Sequence, residues 1–284
     1  MSKFTSVAEL LRPINSLMVG FAVVVGAAIA SRGSVLSVVS LEDLIIGFSV
    51  GFTISASSMV LNDVSDIEID KINAPWRPLP SGRVSVLEAL ALFLLLSIVG
   101  LLLSYLNGLD TFIVALSTLV VAILYNVWGK KTGLIGNIMV AYSVAIPLVY
   151  GSLLVDNPSR AIPYFWAMVF FSTTAREVVK DIVDVEGDKI RGVRSIAILY
   201  GEKIAAKTAF LLYLLAVAIS PIPVLLGYVN TILYMPLVVA VDIGLLYDGM
   251  MLLKNPSKRQ AYIHKKRVLV YMLVGLIAFY ISSL

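Results

Sequence analysis

Apolar runs of about twenty residues alternate with short charged segments along this 284-residue chain. An α-helix rises ~1.5 Å per residue, so ~20 apolar residues cross the hydrocarbon core of a bilayer. Nine such runs are read, over residues 14–31, 41–62, 86–106, 111–128, 134–154, 161–180, 205–226, 230–252 and 267–284. Gly and Pro within sustained apolar stretches favour helices over the shorter, alternating strands of a barrel. The seventh and eighth runs are separated only by "GYVN", which makes that split the weakest. The first run follows Lys3 and Arg12 and ends in Ala28-Ile29-Ala30, a mimic of a signal-peptidase site. Its near-spanning length, and the many spans after it, make it a retained first helix. The pattern predicts an all-α, polytopic membrane protein: one domain over 1–284, with nine transmembrane helices.

Composition agrees. Hydrophobic residues make up 59% of the chain and charged residues 14%, well under the ~25% charge of soluble domains. The absence of cysteine excludes disulfides, a thiolate nucleophile and a sulfur-ligated metal. The lone His264 excludes a histidine metal cluster. The net charge of +4 is scattered over several loops, so nucleic acid is not a partner. When loops are numbered alternately, only Arg32 and Arg160 of the 22 basic residues fall on one side. The positive-inside rule therefore places the N-terminus in the cytoplasm and, with nine spans, the C-terminus outside.

That rule explains bases, not acids. Yet half of the 18 acidic residues lie in two short cytoplasmic segments: Asp63, Asp66, Glu68 and Asp70, then Glu177, Asp181, Asp184, Glu186 and Asp188. These segments, within loops 62–85 and 177–204, follow the second and sixth runs. Asp66 and Asp70 are each 118 residues from Asp184 and Asp188, and "DKI" occurs in the same register in both. The match suggests two four-helix repeats plus one helix, with the acidic segments facing each other around a central cavity.

If helix continues past the second run, Asn62, Asp66 and Asp70 share one face. Asp181, Asp184 and Asp188 share another, and Glu177 extends it. Like charges so placed repel, and divalent cations would offset them. Oxygen-only ligands point to magnesium. Lys71, Arg77, Arg83, Arg176, Lys180, Arg191 and Arg194 lie nearby, and carboxylates, magnesium and bases together suit a phosphate group. No P-loop is present, so a lipid diphosphate is the better candidate. Glu68 and Glu186 fall off the stripes and read as ordinary surface charges. The proline-rich "INAPWRPLPSGR" would stiffen the loop and hold Arg77 and Arg83 over the acids.

The paired motifs Asn62-x3-Asp66-x3-Asp70 and Asp181-x2-Asp184-x3-Asp188, with "RPLPSGR" between them, resemble the signatures of the UbiA superfamily of intramembrane prenyltransferases. "DKINAPWRPLPSGRVS" and "REVVKDIVDVEGDK" look most like its archaeal digeranylgeranylglyceryl phosphate synthase branch. The resemblance implies a nine-helix bundle around a lipid-facing cavity. It implies magnesium ions that bridge the six motif residues, as catalytic and metal ligands, to an isoprenoid diphosphate such as geranylgeranyl diphosphate. It also implies a lipid acceptor with a glycerol phosphate head, drawn from the membrane. Lys130, Lys131, Tyr142 and Ser143 fall where that family lines its active site, and Arg12 and Asn15 in "LRPIN" resemble its first helix. Arg77, Arg83, Lys180 and Arg194 complete the expected substrate-binding set.

Two other readings remain open on the residues alone. One is prenylation of an aromatic acceptor such as 4-hydroxybenzoate. The other is a secondary transporter, whose usual mark is intramembrane charge. Here the charges gather at helix ends, with Asp242 and Asp248 as the exceptions.

Overall fold

A computed structural model describes residues 3–190 and 192–283. The helices are α1 (Lys3–Leu11), α2 (Pro13–Ala30), α3 (Val35–Val38), α4 (Leu41–Ser65), α5 (Ile67–Asn73), α6 (Val86–Asn107), α7 (Leu109–Val127), α8 (Leu134–Ser152), α9 (Ile162–Ile190), α10 (Ile196–Tyr200), α11 (Glu202–Ile219), α12 (Ile222–Leu225), α13 (Thr231–Lys254) and α14 (Lys258–Ser282). No strand occurs among the described residues. Nine of these helices, one for each predicted run, have 18 residues or more. Seven are long and apolar enough to cross a membrane: α2, α4, α6, α7, α8, α13, and α11 continued through α12. The other two, α9 and α14, carry "REVVKDIVDVEGDK" and "KRQAYIHKKR" along part of their length, which lowers their apolarity.

Helix starts follow from local chemistry. Ser85 and Glu88 form a reciprocal capping box at the start of α6. Ser40, Ser195, Asn230 and Ser257 cap α4, α10, α13 and α14.

Packing is inverted relative to a soluble bundle. On α6 the buried positions are Ala89, Phe93, Ser97, Gly100 and Ser104, whereas Leu94, Leu95, Ile98 and Leu102 are exposed. Lipid tails are as apolar as leucine, so small residues go inward, where they let backbones approach. Gly100 lies against α4, and a Cβ there would come within 2.8 Å of Ile54. Gly26 and Gly151 bring α2 and α8 into backbone contact, and a Cβ on either would collide with a carbonyl of the other helix.

The long helices pair in sequence order within each group: α2 with α4, α4 with α6, α6 with α7; then α8 with α9, α9 with α11, α11 with α13. The groups join where α2 and α7 pack on α8, and α14 packs on α13, α9 and α2.

Candidate active site

The first acidic segment is not one continuous helix. The chain bends at Asp66 (φ −100°, ψ 4°), between α4 and α5. The hydrogen-bond ladder nevertheless carries through: the Asp66 amide donates to the Asn62 carbonyl at 3.0 Å and the Asp70 amide to that of Asp66 at 2.8 Å. The four-residue spacing survives the bend. Asn62 Nδ2 donates to Asp66 Oδ2 at 3.1 Å. Lys130 Nζ pairs with Asp66 Oδ1 at 2.9 Å, and Arg77 with Asp70 Oδ2 at 2.6 Å. Each motif carboxylate of this segment is therefore neutralised by one base.

Asp63, off the stripe, is buried between two guanidinium groups. Arg12 is hydrogen-bonded to it and Arg77 stands 3.8 Å away. Arg12 occupies the joint of α1 and α2 in a left-handed conformation (φ 44°, ψ 65°). A residue with a Cβ adopts that conformation at a cost of ~1 kcal/mol or more.

The second acidic segment lies on unbroken α9. Asp181 accepts from Asn137 Nδ2 at 2.8 Å. It stands past the apolar run of α9, and burial pushes its carboxyl up to about 7. The Asn137 hydrogen bond opposes that shift, and the charges of Glu177 and Asp188 add to it. Asp184 is exposed and has no hydrogen-bond or ion-pair partner among the described residues. Glu177, buried, is held by Arg176 at 2.7 Å and Lys180 at 2.9 Å.

A cavity of about 290 Å³ opens between these segments and runs between α2, α4, α7 and α8. Arg12, Asn62, Asn126, Glu177 and Lys180 line its polar end; the remainder is walled chiefly by Val, Ile, Ala and Met side chains. Tyr125 and Tyr150 are its aromatic residues. Tyr125 sits under Lys130, 5.9 Å from ring centroid to Nζ, and lies in the field of both Asp66 and Asp181. It thus marks where the two segments come together.

The donors fit a hard cation: six oxygen-bearing side chains with no sulfur or imidazole among them. Asp181 is a desolvated carboxylate between like charges, and Asp184 is exposed with no partner among the described residues. Among the described residues no three acidic side chains already converge on one point; Lys130 and Arg77 are paired with Asp66 and Asp70.

The expected residues separate accordingly. Asn62, Lys180 and Ser143 line the cavity, and Lys130 and Arg77 sit on the first segment. Arg83 bonds Ser6 (3.2 Å) and Glu9 (3.0 Å), tying the loop to α1. Asn15 is exposed outside the lining, and the Tyr142 hydroxyl is 2.7 Å from Ser117 Oγ, also outside it. Lys131 and Arg194 are exposed and meet through the backbone, Arg194 N–H to the Lys131 carbonyl at 3.0 Å. Arg191 lies outside the described residues. Glu68 and Glu186 make only surface pairs, with Lys71 and Lys258.

Sequence reasoning missed Tyr125, Asn126 and Asn137. Asn137 did leave a signal, as a lone amide in an apolar run.

Arg77 meets both acids through one nitrogen, Nη1, 2.6 Å from Asp70 and 3.8 Å from Asp63, and its planar guanidinium keeps a second terminal nitrogen that Lys lacks. We expect Arg77→Lys to lower kcat by ten-fold or more, ~1.4 kcal/mol of barrier, while Glu68→Gln leaves it near wild type. Wild-type kcat in Arg77→Lys, at saturating prenyl donor, would remove Arg77 from the site.

Comparison with known proteins gives the family. The family model described as the UbiA prenyltransferase family matches residues 19–279. A digeranylgeranylglyceryl phosphate synthase of Methanococcus maripaludis strain C7 is 38% identical over 276 residues, 97% of each chain. One from Saccharolobus solfataricus is 33% identical over 285 residues, covering 98% of this chain and 97% of its own. A solved structure from work on digeranylgeranylglyceryl phosphate synthase in membranes superposes with a TM-score of 0.85 at 33% identity, covering 100% of this chain and 99% of its own. A UbiA homologue from Archaeoglobus fulgidus, solved with GPP and Mg2+, shares the fold, with a TM-score of 0.70 at 16% identity over 96% of this chain and 99% of its own. The chain belongs to the UbiA prenyltransferase family and is a multi-pass membrane prenyltransferase.

Proposed function

We propose that this protein transfers a geranylgeranyl group from its diphosphate to geranylgeranylglyceryl phosphate, a step in archaeal membrane lipid synthesis. The observation that carries the reading is a cavity with a charged mouth and an apolar interior, set between two acid-rich helix ends. Near full-length similarity to proteins named for this reaction supports the choice of substrates.

Asn62, Asp66 and Asp70 from one segment and Asp181, Asp184 and Asp188 from the other would hold magnesium. When bound, that ion stabilises charge on the leaving diphosphate oxygens. Arg77, Lys130 and Lys180 supply positive charge around the same oxygens, in a mouth where exclusion of water strengthens each interaction. The apolar wall shelters the allylic cation from water, and the face of Tyr125, at the mouth, stabilises it by up to ~2 kcal/mol. Arg12, at the same mouth, suits the phosphate of the acceptor.

In this reading the whole chain, 1–284, is one transmembrane domain. Nine helices cross the membrane, α9 and α14 among them, as two four-helix repeats plus one. The parallel pairing order of the two groups supports the repeat. Both acid-bearing segments face the cytoplasm with the N-terminus, and the C-terminus lies outside.

Two experiments test this. Membranes containing the protein receive labelled geranylgeranyl diphosphate with geranylgeranylglyceryl phosphate or 4-hydroxybenzoate, with and without magnesium. Magnesium-dependent label in the glyceryl phosphate product alone is expected; label in the aromatic product alone would replace the acceptor. Cysteines are also placed singly at exposed Ser34, Asn157, Trp76 and Tyr200 of a parent that has none. The first two should react with an impermeant reagent in intact cells and the last two only after permeabilisation. External labelling at position 76 would invert the topology.

A further inference from the structure

The cavity that begins at Asn62 and Lys180 reaches Tyr150, and we propose that Tyr150, anchored by Asn107, is the floor that sets prenyl chain length. The inference rests on the prenyl-transfer reading above.

Tyr150 is buried in a cluster with Val23, Val50, Ile54 and Ala115, four residues that also line the cavity. Its ring lies against α4 at Gly47, where a Cβ would stand 3.5 Å from Cε1. The hydroxyl is not loose. It donates to Asn107 Oδ1 at 3.1 Å, and Asn107 Nδ2 reaches Asp43 Oδ1 at 3.2 Å and the Asp43 carbonyl at 3.3 Å. This chain ties α8, the end of α6 and the start of α4. A buried hydroxyl so satisfied resists rotation, because turning the ring would strand two polar groups, the hydroxyl and Asn107 Oδ1. Beside the ring, the backbones of α2 and α8 meet at Gly26 and Gly151 and close the space between those helices.

The depth suits one class of tail. From Met139 to Tyr150 along α8 is roughly 16 Å, and from Asn62 to Val50 along α4 roughly 18 Å, at ~1.5 Å per residue. Each isoprene unit adds four carbon–carbon bonds in zigzag, about 5 Å when extended. A farnesyl tail thus spans about 15 Å, a geranylgeranyl tail about 20 Å and a geranylfarnesyl tail about 25 Å. With its first carbon at the mouth, a slightly bent geranylgeranyl tail fills the cavity to Tyr150. One more unit meets the ring, and one fewer leaves apolar wall unfilled.

The test is kcat/KM for farnesyl, geranylgeranyl and geranylfarnesyl diphosphates with one fixed acceptor. The wild type should prefer the geranylgeranyl donor to the longer one by roughly ten-fold or more. Tyr150→Ala, which removes the floor, should bring those two donors within about three-fold of each other. Tyr150→Phe keeps the ring but loses the bond to Asn107, so it should keep the wild-type order of donors with a smaller margin between them. Ala115→Leu, which builds up the wall just above the ring, should move preference toward farnesyl.

A folded Tyr150→Ala variant with the wild-type order overturns the proposal, as does a wild type indifferent to the longer tail. If Tyr150→Ala is not monodisperse in detergent, Ala115→Leu decides, and an unchanged farnesyl-to-geranylgeranyl ratio overturns the proposal. A wild type that transfers none of the three tails overturns the transfer reading itself, and the floor with it.

Discussion

Asp66→Ala and Asp184→Ala should each lose roughly a thousand-fold in turnover, about 4 kcal/mol of barrier, while the protein still folds. The two substitutions remove a proposed ligand from opposite sides of the site, and their structural consequences differ. Asp66 is engaged, so its loss removes one partner from Lys130 and one from the Asn62 amide. Asp184 is exposed and touches no partner among the described residues. An inactive Asp184→Ala protein with unchanged thermal unfolding therefore cannot owe its inactivity to lost packing. The measurement is kcat at saturating magnesium and both substrates. Near-normal turnover in either variant would sink the model in which both segments ligate. Asp66→Asn separates charge from shape: it should fall nearly as far as Asp66→Ala, because the neutral amide keeps the side chain's size but loses the anion, and its single oxygen can accept from only one of Lys130 and Asn62.

The second large effect is on stability. Arg12→Ala removes the guanidinium bonded to buried Asp63 and leaves only Arg77, at 3.8 Å, to compensate it. Breaking a buried ion pair from one side costs about 3 kcal/mol. Relief of the left-handed strain is small, because Ala has a Cβ too. We expect detergent-phase thermal unfolding of Arg12→Ala to fall by several degrees. Much of that loss should return in Arg12→Ala combined with Asp63→Asn, since the stranded charge is then gone. Equal unfolding temperatures for wild type and Arg12→Ala would show that Arg77 alone satisfies Asp63. Arg12 also lines the cavity mouth, so its loss should raise acceptor KM as well.

Much of the architecture is legible in the sequence. Each apolar run contains a long helix among the described residues, with ends displaced by a few residues except where polar sequence extends them and in the seventh, where α11 stops at Ile219 before Pro221. The extension of α9 to Ile190 is the clearest case. Its last turns are hydrophilic but helix-forming, and apolarity alone cannot see a helix that leaves the membrane. For the same reason α9 and α14 fall below the apolarity of the other seven. The acid stripes were legible because spacing of three and four is a local property. The bend at Asp66 was not, since it rests on how α5 and the proline-rich loop fold back so that Arg77 meets Asp70 and Asp63.

Basic residues were the hardest to place. Arg77 and Arg83 are close in sequence and rich in the same chemistry, yet one meets the acids and the other ties down α1. A long flexible side chain takes its role from whatever lies within reach, and that is settled by segments far away in sequence. Lys130 and Asn137 show the same thing from the other side, since each finds its acid through α7, the turn after it, or α8. The sequence by itself determined that this is a helical membrane protein with two acid-bearing helix ends, because hydrophobic period and charge spacing act within one or two turns. Only the tertiary structure decided which bases neutralise those acids, that Asp184 has no partner among the described residues, and that the cavity reaches Tyr150. Those outcomes depend on glycine-mediated contacts between helices, and on burial that raises the cost of any unpaired charge.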